Sequence, residues 1–172
     1  METIAPLNFS LVIAYLLPGF VSLYSLTYLS TRVKILFDAI GNKDSNLGSS
    51  FIIIISSLAC GVIISAIRAL ILDQLQEKTG IQKPPFDYSK LKNEGTRKAF
   101  NDCIPNTWRY TQSYGNMFIA LSMLLILKIF FTKLDWENQW HIVSILAITV
   151  AILFFCHRNS LNNTYKTIND IL

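Results

Sequence analysis

Apolar positions in this chain fall into four runs, at 7–29, 51–72, 117–131 and 140–156, with polar connections between them. The first two are long enough to cross a hydrocarbon layer as helices, which takes ~20 residues. The third and fourth are shorter cores. Their flanks carry Trp108, Tyr110, Tyr114, Trp136 and Trp140, aromatic residues of the kind that settle at a lipid–water boundary. Inside lipid each backbone polar group must bond within its own segment, so every run is expected to be helical. The pattern predicts an all-α integral membrane protein, one domain of about four apolar helices.

Local signals add detail. Pro18-Gly19 interrupts the first run, within Tyr15-Leu-Leu-Pro-Gly-Phe20. Proline lacks a backbone donor and crowds the preceding turn, so a kink near 14–18 is expected. It serves as a hinge or as a gap for a neighbouring helix, or it is a tolerated irregularity. The second run sets Ser57, Gly61 and Ser65 four residues apart on one face, a pattern that lets helices approach closely in lipid. Arg68 follows near the same face, either snorkelling to headgroups or lining a wet interior.

Residues 41–48 form a turn-rich break. The 73–113 connection is punctuated by Gly80, Pro84, Pro85 and Pro105. It is expected to hold a short helix around 88–100 and a second one starting at Thr107, just past Pro105, that runs into the third span. In the tail, Leu161, Tyr165, Ile168 and Leu172 recur with an amphipathic helical period. The last helix should therefore project beyond the membrane as a stem. Its apolar stripe needs a partner, from this chain or from another copy.

Composition agrees. Only 15% of the 172 residues are charged and 52% are apolar, whereas a soluble domain carries roughly 25% charged residues. The net charge is +4, and its placement matters more than its size. Lys78, Lys83, Lys90, Lys92, Arg97, Lys98 and Arg109 lie in the 73–113 connection, interleaved with Asp73, Glu77, Asp87, Glu94 and Asp102. That mixture reads as a solvated surface and argues against a nucleic-acid groove. With four spans, the basic residues concentrate on the side holding the 73–113 connection and both termini, against Arg32, Lys34, Lys43 and Lys133 opposite. Both termini are therefore expected in the cytoplasm. The leading segment has Glu2 and no basic residue, unlike a signal peptide. Cys60, Cys103 and Cys156 have no metal-binding spacing.

The sequence contains no phosphate-binding glycine loop, zinc pair or nucleophile elbow, and nothing in it calls for a metal or cofactor. His141 reads as an interface residue. His157 and Arg158 read either as a polar exit cap on the last span or as part of a site. The stretch from Arg158 and Asn159 to Asn163 resembles a degenerate form of the R-N-x-x-x-H motif of HEPN ribonucleases. In such a site the arginine contacts a phosphate while the histidine moves a proton. Asn163 stands at the histidine position, and an amide cannot act as acid or base near neutral pH. His157 is not a simple substitute, because adjacent helical residues point roughly 100° apart.

In size, in its early Tyr15-Leu-Leu-Pro-Gly-Phe20 helix, in membrane character and in this Arg158-Asn159 pair, the chain is similar to the small membrane accessory protein encoded beside the RNA-guided RNase of type VI-B CRISPR systems. The resemblance implies a bacterial inner-membrane protein forming a ring-shaped homo-oligomeric pore. It also implies a functional link to that RNase and membrane depolarisation during antiviral defence. Two alternatives stand beside it: a non-conducting scaffold that recruits a soluble partner through 73–113, and a membrane-bound ribonuclease.

Overall fold

The computed structural model of the chain describes residues 12–41, 47–81, 83, 85–131 and 136–172. The start of the predicted first span, most of the 41–48 turn, Pro84 and Lys133 lie outside them. Five helices are described: α1 (Val12–Tyr28), α2 (Thr31–Gly41), α3 (Leu47–Lys78), α4 (Glu94–Phe131) and α5 (Trp136–Ile171). A 3₁₀ turn at Tyr88–Lys92 precedes α4, and no strand occurs among the described residues. The fold is all-α. Helices α3, α4 and α5 are long and apolar enough to cross a membrane, and α1 is apolar but shorter.

α1 changes character along its length. It begins as a π-helical turn over Val12–Leu16, is α-helical over Leu17–Ser25 and tightens to 3₁₀ over Leu26–Tyr28. Pro18 has no N–H to offer the Ala14 carbonyl four residues back. The Asn116 amide, reaching from α4, donates to that carbonyl at 2.7 Å. The irregularity expected near 14–18 is thus a π turn pinned by another helix. π turns of this kind cluster where a regular ladder is interrupted.

Small residues set the contact between α1 and α3. A Cβ on Gly19 would collide with the Ser57 carbonyl, and one on Gly61 with the backbone of Tyr15. The face carrying Ser57 and Gly61 therefore packs inside the chain, while Ser65 is half-buried. Direction follows from the ends. Ala14 lies beside Asn116, while Leu29 borders a groove with Met123 and Ile126, so α1 runs parallel to α4. α5 runs antiparallel to α4, with Phe154 against Phe118 at 5.6 Å and Ser160 against Thr111.

Three sequence expectations need correction. First, the 73–113 connection holds no separate helices at 88–100 and after Pro105, because α4 runs unbroken from Glu94 through Pro105 to Phe131. Near the proline the Thr107 hydroxyl donates to the Cys103 carbonyl at 3.0 Å, and Ile104 is buried against Ile168 and Leu172. Packing on the tail holds the helix together where propensity would break it. Second, α2 was not foreseen. Its Val33, Leu36 and Phe37 are half-buried, and Phe37 meets Phe20 and Tyr24 edge-on at 5.5 and 5.6 Å. Third, Trp108 does not stand at an outer boundary: it packs on Ile81, Leu161 and Tyr165.

The tail stripe finds its partner in its own chain. Leu161, Tyr165, Ile168 and Leu172 are all buried, covered by Ile81, Phe86, Leu91 and the first turns of α4. α5 thus extends well past its apolar run, as its period foretold.

Candidate functional site

Where the apolar halves of α3, α4 and α5 give way to their polar halves, ionisable groups are buried together. Arg68 and Asp73 lie five residues apart on α3. In an α-helix that spacing turns them well away from each other, but Arg68–Leu72 is a π-helical turn, in which the i and i+5 positions align. The Arg68 guanidinium donates to Asp73 Oδ2 at 2.6 Å, and its side chain is 3% exposed. Arg68 neither snorkels nor lines open water.

The other Asp73 oxygen meets His157 of α5, with Oδ1 to Nε2 at 3.0 Å. The second ring nitrogen, Nδ1, faces the Thr111 carbonyl of α4 at 2.9 Å. A carbonyl only accepts, and an ionised carboxylate only accepts. Both ring nitrogens of His157 are therefore engaged, one by the carboxylate of α3 and one by the backbone of α4. Taking the Arg68 and Asp73 charges out of water is expensive, and their pairing with further hydrogen bonds is what offsets it.

Space for this cluster comes from Gly115. A Cβ there would lie within 3 Å of the Arg68 Cδ and of the His157 ring. The Thr111 hydroxyl extends the network, meeting Ser160 at 2.8 Å and Thr164 at 3.0 Å. Further along the tail, the Tyr165 hydroxyl donates to Glu77 at 2.6 Å. Burial, then the hydrogen bond to Glu77 and its charge, push the Tyr165 phenol far above its ordinary range.

The residues of the HEPN-like stretch are dispersed by the helix they share. His157 points inward and is fully buried. Arg158 points to the far side of the α3 terminus, where its two terminal nitrogens donate to the Thr79 hydroxyl and carbonyl, each at 3.0 Å. Asn159 and Asn163 are exposed. Of the predicted site residues, the structure joins Arg68 with His157 through Asp73. Ser57 and Gly61 sit at the contact with α1, beside Pro18 and Gly19, and Ser65 is half-buried one turn further along α3. Asp73, Thr111, Gly115 and Asn116 were missed. An aspartate closing an apolar run, and a glycine next to an asparagine opening one, are the signals that point to them.

Compared with known proteins, the chain matches no family model, no curated protein and no solved structure.

Proposed function

We propose that this chain is a bacterial inner-membrane protein that self-associates into a pore and depolarises the membrane, as an accessory to RNA-guided antiviral defence. One observation carries the non-enzymatic part of the reading. His157 is enclosed between Asp73 and Thr111, so the proton carrier an HEPN site would use is committed to holding helices together, and Arg158, anchored on Thr79, stands apart from it. A histidine with no exposed atoms cannot reach a phosphodiester.

The membrane part is supported by three crossing-length helices with largely open apolar faces. Ionisable residues buried beside such segments commonly mark function. Because the Ser57–Gly61 face is occupied by α1, self-association would use other surfaces, such as the open α5 row Ile142, Ile145, Ile148 and Ile152. The parallel course of α1 and α4 supports an N-terminus on the side of the 73–113 connection and the tail. The basic residues on that side favour the cytoplasm.

The test is reconstitution into liposomes carrying a potassium diffusion potential, read with a voltage-sensitive dye, while hydrolysis of single-stranded RNA is followed in parallel. Loss of the potential without RNA cleavage is expected. Intact potential at every protein-to-lipid ratio sinks the pore, and cleavage restores the ribonuclease. The scaffold reading draws on the open polar cleft along Glu94, Arg97, Lys98, Asn101 and Asp102, and it predicts partner capture without ion flux.

A further inference from the structure

Beside the α3 terminus lies a cleft of about 400 Å³, bounded by Gly80, Ile81, Phe155, Arg158, Asn159 and Asn162. We propose that it binds the phosphate of an anionic phospholipid headgroup, with the acyl chains lying along Phe155. The inference rests on the membrane placement argued above but not on pore formation.

Charge is the first argument. Arg158 pairs with no carboxylate among the described residues, since the acidic side chains at this end of α3 are engaged elsewhere. Asp73 is held by Arg68 and His157, and Glu77 accepts from Tyr165. A guanidinium has five N–H donors in one plane. Two of those of Arg158 fix it to Thr79, which orients the group and leaves the others for an anion. Planar multi-donor contact is the geometry in which arginine takes phosphate.

Depth is the second argument. Phe155, 67% exposed, closes the apolar run of α5, and Asn159 stands one helical turn beyond it. At 1.5 Å per residue that is ~6 Å along the axis. Apolar wall first and polar donors next is the order in which a lipid presents its chains and then its phosphate. Asn159 and Asn162 add amide donors beside the guanidinium. Gly80, at φ +109°, turns the chain here and brings its backbone beside Arg158. A single cation next to an exposed phenyl ring suits one lipid better than RNA, whose binding draws on many cations along a backbone.

The experiment is native mass spectrometry of the full chain in detergent, titrated with phosphatidylglycerol or phosphatidylcholine. Asn159→Asp and Asn162→Asp accompany the wild type, because each adds a repelling charge to the cleft and leaves the Arg158–Thr79 clamp in place. Wild type should retain phosphatidylglycerol about tenfold more tightly than phosphatidylcholine, whose choline cation faces the arginine. Each variant should lose most of that preference, since tenfold corresponds to only one charge-assisted hydrogen bond. Equal retention of the two lipids by wild type, or an undiminished preference in both variants, overturns the proposal. Displacement of the lipid by an equal concentration of inorganic phosphate, or by a short single-stranded RNA, overturns the lipid as the source of the anion. Extraction of the chain from cells by buffer without detergent would instead defeat the membrane placement itself.

Discussion

Along α5 the side chains of Ile142, Ile145, Ile148, Ile152 and Phe155 stand open, whereas Leu161, Thr164, Tyr165 and Ile168 are closed over by residues between Ile81 and Thr111 of the same chain. One continuous helix thus has an open apolar half and a covered one. Its second half behaves like a helix in water, burying a stripe because apolar area is driven out of contact with solvent. Its first half gains nothing from such burial if lipid surrounds it. There, helices are held by close backbone approach and buried polar bonds, as at Gly19–Gly61 and Asn116–Ala14. An exposed isoleucine and a buried leucine on one helix can be equally well placed.

The sharpest way to break that contrast is at the junction. Asp73→Ala leaves Arg68 and His157 without their shared anion, and loss of one partner from a buried ion pair typically costs ~3–5 kcal/mol. Thermal unfolding in detergent, followed by circular dichroism, should register it as the largest drop. Replacing Arg68, Asp73 and His157 together with apolar residues should cost less than Asp73→Ala alone. If the triple variant is the weaker, the cluster stabilises the fold more than pairing explains.

Next comes a matched pair on α5. Leu161→Ala should lose ~2–5 kcal/mol, as truncations at fully buried sites do. Ile148→Ala, at a position 60% exposed, should stay within ~0.5 kcal/mol. Equal losses in the same melts would mean that the first half of α5 is covered in the purified protein, and a larger particle on size exclusion would name the cover as another copy.

Gly61→Leu should cost ~1–3 kcal/mol by overpacking against the Tyr15 backbone, while Ile63→Leu, on the open side of α3, should be neutral. Because the glycine contact lies within one chain, the loss should appear as lowered stability of the protomer, not only as dissociation of an assembly. An unchanged melting temperature for Gly61→Leu would contradict the α1–α3 packing.

The smallest effect is a pH dependence in the tail. The folded chain holds the Tyr165 phenol neutral beyond its ordinary value of ~10. That contribution is complete below pH ~10 and declines as pH rises above it, because the unfolded chain ionises first. Melting temperatures taken at increasing alkaline pH should fall less steeply in Tyr165→Phe than in the wild type.

How far the sequence could foretell this depends on how local each signal is. The tail stripe was legible because 161, 165, 168 and 172 lie on one helical face. Its cover was not, because Ile81 and Phe86 sit in a proline-broken stretch with no period. The small-residue face of α3 was equally plain, but spacing says nothing about which helix fills it. Arg68 was misread because its pairing needs a π turn, which shifts the register by one residue and leaves no mark in the apolar pattern. Pro105 was read as a break because propensity was weighed without the packing of Ile104 on the tail. The scattering of the HEPN-like residues was foreseeable in part, since His157 and Arg158 are neighbours on a helix and had to face different ways.

The bond from Asn116 to the Ala14 carbonyl spans 102 positions of the chain, and this matters for how the protein is made. During synthesis α1 is complete long before α4 has been translated, and it carries a carbonyl that Pro18 cannot satisfy in an α-helical register. Until Asn116 arrives, that oxygen lacks its side-chain donor, and the π turn at the start of α1 has only its own backbone to hold it. Arrival of α4 supplies the donor and fixes the start of α1 against Asn116. The order of the chain thus leaves its first helix to be completed by a donor made 102 residues later.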